Sequence, residues 1–225
     1  MGYFQSVSRH HEQITPQLND YMAAHSEPPD AVLLELADET ARRFPDISGM
    51  QIGPEQGTFM TLLTRLTAAR SAVEVGTFTG YSSICLARGV GEQGRLLCCD
   101  VSEEWTSVAR RYWQKAGVAD RIELRLGPAL DTLRALPPGP LFDLAFIDAD
   151  KPGYVGYWEE ILPRTRPGGA ILVDNTLSHG RVIDESNQDP NVVAIREFDD
   201  HVIGDERATV VLLPMGDGLT LAWRK

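Results

Sequence analysis

The chain has 225 residues, 43% of them hydrophobic, and a formal net charge of −11. That length and apolar content suffice for one well-buried core, and a single domain over residues 1–225 is the simplest expectation. The acidic balance argues against a nucleic-acid partner, which needs clustered cations, and no apolar run approaches a membrane span or the core of a secretory signal.

Residues 3 to 25 carry Tyr3, Phe4, Val7, Ile14, Leu18, Tyr21 and Met22 at roughly helical spacing. Together with the next helix they are expected to form an amino-terminal helical segment, over residues 1–45, that acts as a lid or a homodimer contact. Pro28-Pro29-Asp30 opens that second helix, with Asp30 as its cap and Val32, Leu33, Leu36, Ala37, Ala41 and Phe44 on one face. A Gly- and Pro-rich loop from Pro45 to Gly57, containing Met50-Gln-Ile-Gly-Pro-Glu-Gln-Gly57, leads into a helix from about 54 to 69.

From residue 71 the pattern becomes strand, glycine turn, helix, repeated. Strands are expected near 71–76, 95–100, 121–126, 142–147 and 169–174, with helices near 80–89, 102–117, 128–136, 152–163 and 189–203. Such alternation means βαβ units and a parallel sheet. Ala208–Leu213 and Leu219–Trp223, joined across Pro-Met-Gly-Asp-Gly, read as an antiparallel hairpin on the sheet edge. The expected fold class is α/β: a Rossmann-like, seven-stranded, mostly parallel sheet with helices on both faces. Cys85, Cys98 and Cys99 fall in apolar segments without metal or redox spacing and read as buried, reduced thiols of a cytoplasmic protein.

Two strands end in chemistry. Phe142-Asp-Leu-Ala-Phe-Ile-Asp-Ala-Asp-Lys151 is an apolar run that stops in two acids and a lysine, and Gly169-Ala-Ile-Leu-Val-Asp-Asn175 stops in an acid and an amide. In open α/β sheets the carboxyl ends of strands are where ligands bind. If the two strands are neighbours, Asp148, Asp174 and Asn175 converge, and three oxygen donors suit a hard divalent cation such as Mg²⁺, with Lys151 beside it. Solvated turn acids, and a lysine paired on the surface with Asp150, are the plainer alternative.

Ala72-Val-Glu-Val-Gly-Thr-Phe-Thr-Gly80 places a strand, two glycines and a helix start in the arrangement that cradles a nucleotide-like ligand. The spacing is Glu-x-Gly-x-x-x-Gly, and the carboxylate of Glu74 suits a cationic ligand better than a pyrophosphate. Asp100 ends the next strand, where an acid can accept ribose hydroxyls or cap the helix that follows. An adenosine-containing ligand accounts for this set.

These residues resemble the metal- and S-adenosylmethionine-dependent O-methyltransferases of the caffeoyl-CoA and catechol family. The resemblance runs from about residue 28 through the Met50–Gly57 motif, Val73-Glu-Val-Gly-Thr-Phe-Thr-Gly-Tyr-Ser82, Gly127-Pro-Ala129, Phe146-Ile-Asp-Ala-Asp-Lys151, Val173-Asp-Asn-Thr-Leu177 and Leu213-Pro-Met-Gly-Asp-Gly218. It implies Asp148, Asp174 and Asn175 as metal ligands and Lys151 as catalytic base. It implies Ile52, Glu74, Gly76, Thr77, Ser82, Asp100, Ala129 and Asp150 as contacts of S-adenosylmethionine, and a small aromatic diol as acceptor.

Two departures bear on that acceptor. His179 stands where the plant caffeoyl-CoA enzymes place a substrate-binding asparagine, and the amino-terminal segment holds Arg9, His10 and His11 but no lysine. Both favour a small free catechol, as in bacterial relatives that decorate natural products, over a coenzyme A thioester. An NAD-dependent reductase is disfavoured by the glycine spacing, and a regulatory protein that only binds S-adenosylmethionine would be expected to have a degraded metal set.

Overall fold

The computed structural model describes residues 15–225; Tyr3, Phe4, Val7, Arg9, His10, His11 and Ile14 lie outside the described residues. Within them, helix α1 spans Pro16–Ala24, capped by Thr15, and buries none of its side chains. Helix α2, Ala31–Arg43, begins where the Asp30 carboxylate accepts the Leu33 amide at 3.0 Å. Its buried stripe is Leu33, Leu36 and Thr40, followed by Phe44 at the helix end. Ala41, expected on that face, is exposed. Thr40 takes the place because its hydroxyl donates to Thr79 Oγ1 at 2.9 Å, so a polar side chain is satisfied inside the core. Helix α3 follows over Pro54–Leu66, with its proline at the first turn, where the missing N–H costs nothing.

Among the described residues, seven strands form one sheet in the order β3-β2-β1-β4-β5-β7-β6. They are β1 Ser71–Val75, β2 Arg95–Asp100, β3 Ile122–Leu126, β4 Phe142–Ile147, β5 Thr165–Asp174, β6 Ala208–Leu213 and β7 Leu219–Arg224. The first five pair in parallel, and β7 pairs antiparallel with both β5 and β6. The expected sheet and terminal hairpin are thus present. Helices α4 (Tyr81–Val90), α5 (Glu103–Lys115), α6 (Ala129–Ala135), α7 (Tyr154–Ile161) and α8 (Pro190–Ile203) complete the chain. Side chains of α2 to α5 pack with one face of the sheet, and those of α6 to α8 with the other.

The register of this sheet positions the site. Cys99 pairs with Val75, Val75 with Ile147, and Ile147 with Val173. The next residue on each strand is therefore Asp100, Gly76, Asp148 or Asp174, and these four stand in a row along one sheet edge. The strand order reverses at β1, whose neighbours are β2 and β4, which is where doubly wound sheets open a crevice for ligands. On the far side of β4, Phe198 packs edge-on to Tyr154 and Trp158, with ring centroids 5.6 and 6.1 Å apart, fixing α7 against α8.

Candidate active site

A cavity of about 1150 Å³ lies over this sheet edge. Its wall includes Ile52, Gly76, Thr77, Ser82, Asp100, Ala129, Asp148, Asp150, Lys151, Asp174 and Asn175. Of the site residues expected from sequence, Glu74 alone is not on this wall.

Gly76 adopts φ +92°, and a Cβ there would stand 1.9 Å from the backbone oxygen of Asp148. Only glycine lets β1 turn this close to the tip of β4. The turn is then stapled from the next strand, because Asp100 Oδ2 accepts the amides of Thr77 and Phe78, each at 2.9 Å. Asp100 Oδ1 accepts the Ser102 amide at 2.8 Å and keeps a further lone pair for a ligand hydroxyl. Helix α5 is capped by the Ser102 hydroxyl, so capping is not the task of Asp100. Thr77 Oγ1 is buried without a hydrogen-bond partner among the described residues, a polar atom suited to a ligand on the cavity wall.

Glu74 lies behind the wall. Its side chain is fully buried, and Oε2 accepts the Ser83 hydroxyl at 2.5 Å and the Cys98 thiol at 3.2 Å. Burial pushes its carboxyl from 4.5 up to about 7, against the pull of the Ser83 hydrogen bond. The folded chain thus holds this proton more tightly than the unfolded chain does. The contribution favours the fold below pH 4.5 and is lost as pH rises through about 7. Glu74→Gln removes that titration, so its melting temperature should climb relative to the parent between pH 5 and pH 8. A constant offset over the whole range would reject the assignment.

The tips of β4 and β5 hold the expected donor set. Lys151 Nζ donates to Asp148 Oδ1 at 3.1 Å, Asn175 Oδ1 at 2.5 Å and the Tyr154 hydroxyl at 2.7 Å, so one cation already joins oxygens from both strand tips. The partner of Lys151 is Asp148 and not Asp150; Asp150 instead accepts the Tyr157 hydroxyl. Tyr154 is wholly buried and donates to the backbone oxygen of Asp174 at 3.1 Å, tying the lysine to β5. Asn175 takes φ +59°, a left-handed turn that asparagine tolerates better than most residues.

Asp174 is 3% exposed. Its carboxyl is pushed up to about 7, first by burial and then by the charge of Asp148. Burial likewise raises Asp148, opposed by the Lys151 ammonium. A buried and a half-buried acid that resist ionising together, with an amide oxygen beside them, form a donor set that a hard divalent cation fits: in place of the Lys151 ammonium it would neutralise charge the fold otherwise disfavours. A second cluster among the described residues, Glu159, His201 and Asp205, is filled by Arg207, which donates to both acids.

Four contributing residues escaped sequence reasoning. Gln56 donates from Nε2 to Asp174 Oδ2 at 2.7 Å across 118 positions of sequence, and nothing local announces such a contact. Tyr154 sits three residues after Lys151, a spacing that could have been noticed. Phe78 and Trp105, edge-on with centroids 5.4 Å apart, form an apolar wall beside Asp100. His179, with φ +55° and a side chain 77% exposed, is held on the cavity rim by Asp217, which accepts its backbone amide.

A doubly wound sheet with a glycine cradle at its switch point and an acid-and-amide pair on the adjoining strand tips defines a Rossmann-like methyltransferase. The family model described as O-methyltransferase matches residues 23–225, and the chain belongs to that family. The catechol O-methyltransferase of Mycobacterium tuberculosis is 43% identical over 166 residues, covering 74% of this chain and 73% of that one. A probable caffeoyl-CoA O-methyltransferase 2 of Dictyostelium discoideum is 45% identical over 171 residues, 74% of each chain. The crystal structure of the O-methyltransferase TomG from Streptomyces achromogenes, involved in tomaymycin synthesis and in complex with SAM, superposes with a TM-score of 0.84. It is 33% identical, and the match covers 93% of this chain and 96% of that one.

Proposed function

We propose that this enzyme transfers the methyl group of S-adenosylmethionine to one hydroxyl of a small catechol-type aromatic, with a divalent cation, Mg²⁺ in the first place, held by Asp148, Asp174 and Asn175. The observation that carries this reading is the in-register row of Asp100, Gly76, Asp148 and Asp174, which sets a cofactor cradle directly beside an oxygen donor set and a lysine. Relatives named as catechol and caffeoyl-CoA O-methyltransferases, and a neighbouring structure that holds SAM, support it.

In this reading the cradle of Gly76, Thr77 and Ser82 holds the methionine portion, Asp100 Oδ1 takes a ribose hydroxyl, and Ala129, Phe78 and Trp105 flank the adenine. Ile52 and Asp150 complete that wall. Glu74, one layer behind, fixes the turn through Ser83 at the start of α4. Methyl transfer is a displacement in which acceptor oxygen, methyl carbon and sulfur must line up, so most of what the cradle contributes is orientation. A cation held by Asp148, Asp174 and Asn175 would make the reacting hydroxyl more acidic. Lys151, whose Nζ lies between Asp148, Asn175 and Tyr154, would first give one ammonium proton to solvent and then, as the neutral amine, receive the hydroxyl proton.

Turnover of a simple catechol should therefore collapse when EDTA is added and return with excess Mg²⁺. Equal rates with and without chelator would reject the metal. The same assay, run with labelled cofactor on a panel of free catechols and hydroxycinnamoyl thioesters with products identified by mass spectrometry, ranks the acceptors; faster turnover of the thioester would replace the free catechol in this reading.

The amino-terminal segment, residues 1–45, is proposed as a lid and homodimer contact on the single catalytic domain. Helix α1 leaves Leu18, Tyr21 and Met22 exposed, with Tyr21 61% accessible, and an apolar stripe of this kind is stabilised by a partner surface. Light scattering should report a dimer, and a fully active monomer would dismiss the contact.

A further inference from the structure

The Asp174 carboxylate is gripped on both sides. Oδ1 accepts the Asn175 amide at 2.7 Å, and Oδ2 accepts Gln56 Nε2 at 2.7 Å. Gln56 is 2% exposed and belongs to the first turn of α3, directly after the loop that brings Met50, Gln51 and Ile52 to the cavity wall. Its carbonyl oxygen lies against a turn of the chain. Gly216, at φ +54°, comes so near that a Cβ there would stand 2.9 Å from Gln56 Oε1. That turn is in turn fastened to the tip of β5, because Asp217 and Gly218 accept the amides of Leu177 and Thr176 at 2.9 and 3.0 Å. With the carbonyl side facing the turn, the NH₂ side is left to face Asp174; the reverse orientation would set oxygen against oxygen.

We infer that Gln56 is a positioning residue for the cation site: its amide holds the Asp174 carboxylate at the angle at which a free lone pair points toward Asp148 and Asn175. This rests on the metal-dependent reading of the site. A neutral donor suits the task. It fixes the carboxylate without adding charge, and, unlike a lysine or arginine, it does not compete with a cation for the same acid. Because Gln56 lies on α3, it also joins the loop bearing Ile52 to the strand tip bearing Asp174, two pieces far apart in sequence.

The test is Mn²⁺ affinity, measured by electron paramagnetic resonance on the full chain without substrate, alongside S-adenosylhomocysteine affinity by calorimetry in metal-free buffer. Gln56→Met keeps the length of the side chain and removes the donor. Mn²⁺ should bind about 10- to 100-fold more weakly, the usual consequence of removing a partner that orients a metal ligand, while S-adenosylhomocysteine affinity stays within about twofold. Mn²⁺ affinity within twofold of the parent would overturn the inference. So would an equal loss of both affinities with a lowered melting temperature, which would make Gln56 a packing residue only. If Gln56→Met does not fold, Gln56→Asn, which withdraws the same amide by one methylene, must show the same selective loss. A parent protein that fails to bind Mn²⁺ at all would bring down the metal reading itself and this inference with it, and is distinguishable from the other outcomes because no variant is needed to see it.

Discussion

Asp174→Ala is expected to fold, to bind S-adenosylhomocysteine nearly as the parent does, and to lose metal-stimulated methyl transfer by about a thousandfold, the scale of several kcal/mol of charge stabilisation that a bound cation supplies. The two halves of this result have separate causes. In the metal-free protein the Asp174 carboxyl is a burden on the fold: it is buried beside Asp148, and the two charges oppose one another. Removing it relieves that opposition and leaves the Gln56 and Asn175 donors without their acceptor, two effects of opposite sign and similar size. Net stability should therefore move little. Activity has no such compensation, because Asp148 and Asn175 remain bridged by the Lys151 ammonium and offer too few oxygens to bind a divalent ion in its place. The measurements are a thermal melt, calorimetry with S-adenosylhomocysteine, and turnover across a Mg²⁺ titration. A variant that keeps the parent's Mg²⁺ response would sink the ligand assignment.

Much of this arrangement is legible in the sequence because it depends on a single periodic feature. Short apolar runs ending in an acid or a glycine announce parallel strands and mark their carboxyl ends, and pairing in register does the rest: Asp100, Gly76, Asp148 and Asp174 meet because each follows a member of the in-register row Cys99, Val75, Ile147 and Val173. What stays hidden follows from the same physics. Glu74 reads as a ligand contact from its place two residues before Gly76, yet alternation along β1 turns its side chain toward Ser83 and Cys98, on the layer of α4. Thr40 is missed because an apolar alphabet prefers Ala41, although a hydrogen-bonded threonine packs as well. The boundary of α7 is blurred, since Lys151–Gly153 forms a separate tight turn before the helix proper begins at Tyr154. The Gln56 contact joins elements whose proximity is a property of the whole fold.

Gly76→Ala should damage both stability and cofactor binding, and its comparison with Gly91→Ala isolates why. Both glycines have positive φ, +92° and +76°, the second with ψ −176°, so alanine at either position bears the strain of a backbone region that side chains avoid, on the order of 1–3 kcal/mol. At Gly91 nothing lies within 4 Å of the added Cβ, and that strain is the whole effect. At Gly76 the new methyl would meet the Asp148 oxygen at 1.9 Å, an impossible contact with backbone. Neither side can yield freely. The Asp148 amide donates to Val75 at 2.8 Å and the Gly76 amide donates to Cys99 at 2.9 Å, so relief requires parting β1 from β4 or β2 at their tips. That costs at least one buried backbone hydrogen bond, about 1–3 kcal/mol more. A total of roughly 2–6 kcal/mol corresponds to a melting temperature lower by about 4–24 °C for a chain of this size, against about 2–12 °C for Gly91→Ala. S-adenosylhomocysteine affinity should fall by more than about tenfold in the first variant and hold in the second, because the parted tips carry the turn that Asp100 staples. Equal melting shifts in the two variants, with cofactor affinity intact in both, would mean that the close approach of β1 to β4 does not shape the cradle.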